Sequence, residues 1–345
     1  MNKIFKIIII ILVILYVFRC DLFESFSVVK SEEIPTVKFP FKNLFDDMGN
    51  KLNIILISAP FRENEHMKQY LEYKAKGLDF CGISSYLNFP DRIDNPYEDN
   101  FHKEKNHDYV KMVSAWLYCS KEEPHALRKS TIPRILLTEA DLKNINNFKP
   151  VLESEKEYDF IYICLKDNDK CEPGWQSYNR NWKLAKKCLK IMCGKFGLKG
   201  IIVGRTNCKF TDLCKEYITV IPMLSYDKFQ EKLQKSKMLF VPNIHDASPR
   251  VITEAMCYNI PVVVNSQIIG GWHNVISGIT GEFFDSEKNV SDALNKVLTN
   301  YNNYTPRDWF SKNRGMKISG AQLANFLIKH YPNINNTNMK YATIT

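Results

Sequence analysis

The chain has 345 residues, and at about 100 to 200 residues per domain that length suggests two domains. Apolar residues make up 45%, charged residues 25% and aromatics 12%, values of an ordinary globular protein and not of a disordered, collagenous or many-spanning membrane chain. Lys plus Arg (47) exceeds Asp plus Glu (38), but the excess is spread along the chain, which suits an anionic ligand and does not point to nucleic acid.

The first residues read as a targeting segment. Lys3 and Lys6 precede an apolar run from Ile7 to Phe18, and no small-residue cleavage site follows, the next residues being Arg19, Cys20 and Asp21. A signal anchor over 1–20 is the first expectation, with a cleaved signal peptide or a peripheral helix as alternatives. Charge is slightly heavier before the run than after it, which predicts a single-pass type II protein whose body faces the lumen and away from the cytosol. Ten cysteines would then sit in an oxidising compartment, mostly buried with one or two disulfides, and none has zinc-site spacing. The sequons at Asn289, Asn303 and Asn335 matter only in such a compartment.

Residues 21–50 mix charge, prolines and scattered aromatics without a period and read as a stem. From Lys51 the pattern changes. Leu52 to Ser58 is an apolar run of strand length, followed by a helical stretch near Glu65 to Lys76 and further short runs at Phe80 to Ser84, Val110 to Tyr118 and Ile135 to Thr138. After Pro150 the alternation is regular: strands at 158–165, 200–204, 218–223, 238–243 and 260–265, with helices near Trp182 to Phe196, Cys208 to Glu216, Tyr226 to Lys235 and 249–258. The expected fold is α/β, two Rossmann-like doubly wound domains with an N-terminal membrane-anchor helix. The domains are placed at 51–150 and 151–310, with a C-terminal helix and tail over 311–345.

The chemistry is concentrated in Met238 to Phe284. A buried strand ends in Asn243-Ile244-His245-Asp246-Ala247, and Ser248-Pro249 then reads as an N-cap followed by proline at the first helical position. Such a helix aims free N–H groups at the carboxyl edge of a parallel sheet, where phosphates bind. Asp246 and Glu254 bracket this anion site, and carboxylates there suit sugar hydroxyls. Gly270-Gly271 permits close backbone approach to a ligand.

The order acidic–x7–Glu, then helix, then P-V-V-V, G-G and T-G-E-F resembles the donor half of GT-B glycosyltransferases, in particular the retaining group-1 type with an E-x7-E motif, over residues 158–285. The wording DASPRV followed by GGW and TGEFF is also similar to glycosyltransferases of large DNA viruses and algae. The resemblance implies that Glu254 binds the nucleotide ribose, that Asp246 faces the donor sugar, with His245 beside it as a second catalytic candidate, and that Ser248, Pro249, Arg250 and Val251 hold the diphosphate with Gly270 and Gly271 nearby. Arg180, Lys183 and Lys166 stand in for the family's phosphate-binding Arg and Lys. Three departures are visible: Asp246 is Asp and not Glu, those basic residues are separated by an insertion, and the first strand is followed by Ser58-Ala59-Pro60 in place of a Gly-Gly loop. His66, His102, His107 and His125 lie in N-terminal loops with no partner at diagnostic spacing.

Asp167-Asn168-Asp169 follows a strand in the manner of a carboxylate pair for Mg or Mn, but the nucleotide elements all lie C-terminal to it, so it reads as a solvated loop and no metal is expected. The implied function is transfer of a sugar from a nucleotide-sugar donor to a glycan, protein or lipid acceptor, without cofactor, metal or nucleic acid. A non-catalytic glycan- or nucleotide-binding protein and a sugar-nucleotide epimerase are the alternatives.

Overall fold

The computed structural model describes residues 31–91 and 107–344. The expected anchor over 1–20, the first ten residues of the expected stem and His102 lie outside the described residues. Among the described residues no helix is long and apolar enough to cross a membrane.

The strands are β1 (Phe41–Phe45), β2 (Lys51–Ile57), β3 (Asp79–Ile83), β4 (Ala115–Tyr118), β5 (Arg134–Leu136), β6 (Tyr158–Ile163), β7 (Gly200–Val203), β8 (Ile218–Ile221), β9 (Ser236–Val241), β10 (Val262–Asn265), β11 (Gly281–Phe284) and β12 (Thr343–Ile344). The helices are α1 (Asn64–Ala75), α2 (His125–Arg128), α3 (Trp175–Asn179), α4 (Trp182–Gly194), α5 (Tyr226–Gln234), α6 (Arg250–Cys257), α7 (Val290–Thr299), α8 (Pro306–Asn313) and α9 (Gly315–His330). They form two six-stranded sheets, ordered β12-β1-β2-β3-β4-β5 and β11-β10-β9-β6-β7-β8.

The first sheet departs from the expected double winding. Its strands β2 to β5 run parallel and lie side by side in chain order. Right-handed crossovers between such strands stack their helices on one face only. Alternation in the β2 run decides the rest: Ile55 and Ile57 pack with Phe80, Trp116 and Tyr70 of α1, whereas Leu52, Ile54 and Leu56 face the other way. That second face is covered from the far end of the chain, by Leu323, Ala324 and Leu327 of α9 and by Tyr331. The residues expected to be a stem also belong here. Phe41 and Leu44 of β1 are buried, Ile34 packs beside them, and β1 pairs antiparallel with β2 on one side and β12 on the other. The aperiodic look of 31–50 has a physical cause, a bulge in the β1–β2 register between Asn43 and Phe45.

The second sheet is doubly wound. All its strands are parallel, and the order reverses between β6 and β9. Phe160, Tyr162 and Phe240 face α4 and α7, while Ile161, Val203, Leu239 and Val264 face Ile252, Ala255 and Met256 of α6. The helix expected near Cys208 to Glu216 is only a 3-10 turn at Asp212–Cys214, and Cys208 is tied by a disulfide to Cys171, 37 positions earlier, with Cα atoms 5.6 Å apart. The other described cysteines are free and buried.

The chain crosses between domains earlier than residue 150. Leu142 packs in the first domain's core, and Ile145 and Phe148 pack in the second's, so Lys143 and Asn144 are the crossing point. The return crossing runs through α8 and α9. There Arg307 donates to the carbonyl oxygens of Phe148, Ile145 and Cys257, and the Met316 N–H donates to the Lys143 carbonyl at 3.1 Å. Of the sequons, Asn335 is committed to structure: its amide donates to the Lys51 carbonyl and its oxygen accepts from the Asn53 N–H.

Candidate functional site

The reversal between β6 and β9 opens a crevice at the carboxyl ends of the strands, the place where open parallel sheets receive ligands. It is a cleft of about 470 Å³. Its floor is apolar, built from Ile163, Val203, Leu224 and Val241, and its rim is polar, with Arg180, Asn243, Asp246, Ser248, Arg250 and Glu254. An apolar floor with a few convergent polar groups is the usual form of a small-molecule site.

The helix start is shifted by one residue from the sequence expectation. Pro249, not Ser248, occupies the N-cap of α6, and no side chain caps the helix. Ser248 is displaced into the cleft wall, where its buried hydroxyl has no partner among the described residues. The Ile252 N–H already donates to the Pro249 carbonyl at 3.0 Å, so the N–H groups of Arg250 and Val251, whose residues line the cleft, and this hydroxyl form the donor set there. Such a donor set, at the positive end of a helix dipole, favours an anion. Gly270 and Gly271 serve this loop. A Cβ on Gly270 would lie 1.8 Å from the Ala247 carbonyl oxygen, and one on Gly271 would lie 2.6 Å from Pro249. Gly271 also has φ of +72°, so the pair lets two backbones touch and fixes the 246–249 turn, with the Gly270 N–H donating to the Asp246 carbonyl at 3.0 Å.

Both acids are in the cleft, and both are engaged. Asp246 forms an ion pair with Arg180 and accepts a hydrogen bond from the Asn243 amide at 3.1 Å. Glu254 is 4% exposed. Its Oε1 accepts from the Lys143 ammonium at 2.7 Å and from the Tyr226 hydroxyl at 3.3 Å, and its Oε2 accepts from the Gln230 amide at 3.0 Å. Burial and the adjacent Glu254 carboxylate raise the Tyr226 phenol well above its ordinary value, so it remains a donor. His245 is turned away from this chemistry and stacks on Tyr178 with ring centroids 4.0 Å apart, and burial lowers its pKa.

Two of the three basic residues expected at the phosphates are elsewhere. Lys166 pairs with Asp169 at 2.6 Å on the surface. Lys183 belongs to the outer face of α4, in a groove with Lys186, Lys187, Lys190 and Lys209. Only Arg180 reaches the cleft. The helical period explains this: Trp182, Ala185 and Leu189 turn inward, which carries Lys183 outward.

The Asp167-Asn168-Asp169 loop is not uniformly solvated. Asp169 is exposed, but Asp167 accepts from the N–H groups of Gln176 and Ser177 at the start of α3 and pairs with the fully buried Arg205 at 3.3 Å. Arg205 lies over the Trp182 ring, 4.6 Å from its centroid. Among the described residues no group of three or more His, Cys, Asp or Glu could hold a metal ion.

Sequence reasoning missed the partners that fix the acids, Lys143, Tyr226, Gln230 and Asn243. It also missed a second interdomain cluster. Asp141 accepts from the Asn274 amide at 2.8 Å and lies 3.1 Å from His273 Nε2, while the Arg314 guanidinium donates to the Asn274 side-chain oxygen. Burial alone would raise the Asp141 carboxyl, but the hydrogen bond and charge of His273, with the Asn274 and Thr138 donors, hold it below the ordinary range. The sequence does carry signals for some of these. Tyr226 and Gln230 are spaced i, i+4 on one helix, and Thr138 with Asp141 has capping-box spacing.

The comparisons with known proteins agree with this geometry. Residues 200–314 match the family model described as glycosyl transferases group 1. The fold is similar to that of HepE from Anabaena, solved with UDP and glucose, at a TM-score of 0.54 and 12% identity over 79% of this chain and 78% of that one. It is similar to sucrose-phosphate synthase from Thermosynechococcus elongatus at a TM-score of 0.53 and 12% identity, covering 80% and 74%. TarM is matched at a TM-score of 0.51 and 12% identity over 75% of this chain, which spans half of TarM's length. No curated protein sequence matches the chain. Residues 200–314 are therefore similar to a group 1 glycosyl transferase domain, and they lie within a two-domain α/β fold of the GT-B kind.

Proposed function

We propose that the protein is a glycosyltransferase that takes a nucleotide sugar in the cleft above β6 and β9 and passes the sugar to a glycan, protein or lipid acceptor. The observation that carries this is the convergence, at one switch point, of the α6 N-terminus, the unpartnered Ser248 hydroxyl, Arg180, Asp246 and Glu254. Each part of a nucleotide sugar has a counterpart there. The apolar floor takes the base, Glu254 accepts from the ribose, and the 248–251 turn with Arg180 and Arg250 faces the diphosphate. Asp246 stands beside the diphosphate end and faces the sugar. Preorganised N–H groups and guanidinium at the leaving diphosphate stabilise negative charge as it develops, without reorganisation at the moment of reaction.

The reading is metal-independent, supported by Asp167 being committed to Arg205 and the start of α3, which leaves Asp169 as a lone exposed carboxylate. Anchoring through residues 1–20, with the body in an oxidising lumen, is part of the same proposal. It is supported by the apolar run of the sequence and by the Cys171–Cys208 disulfide. Retention on membranes after carbonate washing, with Met1 intact, tests the anchor, and a soluble chain beginning near residue 21 would refute it.

The central test is calorimetric titration with UDP and GDP together with hydrolysis of UDP- and GDP-sugars, on the parent protein and on Glu254→Gln. A charge-assisted hydrogen bond contributes about 1.5 to 3 kcal/mol, so the variant should bind the cognate nucleotide roughly ten- to a hundredfold more weakly. Binding without turnover across donors would favour a binding protein. Binding of no nucleotide at all would refute the site.

A further inference from the structure

The nucleotide acid and the interdomain crossing share an atom. Lys143, the residue at which the chain leaves the first domain, places its ammonium 2.7 Å from Glu254 Oε1, and the two side chains are 18% and 6% exposed. A carboxylate offers about four lone-pair positions. Three are occupied: Oε1 by Lys143 and Tyr226, and Oε2 by Gln230. One hydroxyl can join at Oε2. A vicinal diol that engages both oxygens has no place at Oε1 until one of the two donors there leaves.

Of those two, Lys143 holds Oε1 the more closely, at 2.7 Å against 3.3 Å for the Tyr226 hydroxyl, so it is the stronger competitor for that oxygen. A second cleft of about 540 Å³ opens between the crossing segment and α5, lined by Lys143 itself, by the acidic Asp227 and Glu231, by Glu139 in its ion pair with Lys42, and by Arg250. An ammonium released from Glu254 has the Asp227 and Glu231 carboxylates along that cleft to move toward. Tyr226, one turn before Gln230 on α5, is 56% exposed and lines both clefts, so its longer contact yields readily.

We propose that Lys143 competes with the ribose diol for Glu254, making it a positioning residue of the first domain that sets nucleotide affinity and ties occupancy of the donor cleft to the grip between domains. The inference rests on the reading of Glu254 as the ribose acid. The coupling is reciprocal: if the diol loosens the Lys143 contact, removing the contact must strengthen diol binding.

The test uses the full chain, titrated with UDP and GDP and with their 2′,3′-dideoxy forms, in the parent protein and in Lys143→Met, Lys143→Gln and Lys143→Arg. Lys143→Met and Lys143→Gln should bind the cognate ribonucleotide roughly fivefold more tightly or better, the lower range of measured site couplings. Lys143→Arg, which keeps the ion pair, should match the parent, and the gain should vanish with the dideoxy form. A merely structural lysine would lower affinity or leave it unchanged, for both forms alike, and either result overturns the proposal. A gain that persists with the dideoxy nucleotide also overturns it, because the diol is then not the competitor. If Glu254→Gln leaves ribonucleotide affinity unchanged, the ribose assignment fails and the proposal falls with it, an outcome distinct from failure of the Lys143 variants alone.

Discussion

Arg180 and Asp246 are ion-paired across the mouth of the donor cleft, so the side chain suited to phosphate holds the side chain suited to the sugar. Asp246→Asn removes the charge that retains Arg180 while keeping an isosteric group near the reacting carbon. Nucleotide binding by Asp246→Asn should therefore be equal to or tighter than the parent's, since the guanidinium is freed for the diphosphate. Donor hydrolysis should fall by about two orders of magnitude, the scale for a single group acting on a transition state. Calorimetry beside a hydrolysis assay separates the two. A parallel loss of affinity and rate would mean that Asp246 serves ground-state binding.

Asp167 and Asp169 should behave as opposites. Asp167 has 7% of its side chain exposed and faces Arg205, which is wholly enclosed, whereas Asp169 is 95% exposed. Breaking a buried ion pair from one side costs about 3 to 5 kcal/mol. In urea unfolding Asp167→Asn should lose stability on that scale, and Asp169→Asn should be indistinguishable from the parent. A chelator should leave donor hydrolysis unaffected. Restoration of chelated enzyme by Mn or Mg would show that this loop holds a metal after all.

Acid should loosen the domain interface through Asp141. Its carboxyl is held below the ordinary value in the folded chain. A depressed carboxyl contributes stability that is complete above the unfolded pKa, near 4, and is lost as pH falls through the lower folded value. Between about pH 5 and pH 2 the parent should lose thermal stability more steeply than Asp141→Asn, which has no proton to take up there. Melting temperatures across that range decide the point, and equal slopes would place the acid sensitivity in other carboxylates.

A chain that begins at residue 31 should be soluble and one that begins at residue 46 should not. The shorter chain loses β1, exposes β2 as an edge, and leaves β12 without its neighbour. Exposed apolar strand edges pair with other chains. Size-exclusion profiles of the two proteins test this, and a monomeric peak with cooperative melting from the shorter one would refute it.

The donor half was legible in the sequence because its signals are local. Five apolar strand-length runs alternate with helices, and the acidic–x7–Glu spacing lies on one strand–turn–helix unit, so Asp246, Ser248 to Val251 and Glu254 fall together whatever the rest of the chain does. The N-terminal half was not legible to the same degree. The β1 strand is disguised by its bulge and the partner that completes its face comes from α9, about 270 positions later, a pairing that no window of local sequence reveals. Separations of 111 and 132 positions likewise hid Lys143 from Glu254 and Asp141 from His273. Lys183 failed for a simpler reason. Its helix turns on a 3.6-residue period, and Trp182 takes the inward position.

The return of α9 and β12 to the first sheet sets an order of events during synthesis. The donor sheet, β6 to β11, is contained within residues 158–284 and can close while the ribosome is still working. The sheet that begins at residue 41 cannot close until Thr343 and Ile344 have emerged, because its outer edge and much of the cover on one face come from residues 323–344. Of the two sheets, the one begun first is thus the one finished last. Its apolar face, with Leu52, Ile54 and Leu56, waits uncovered through elongation of the other domain, and transiently exposed apolar surface of that kind is prone to aggregate.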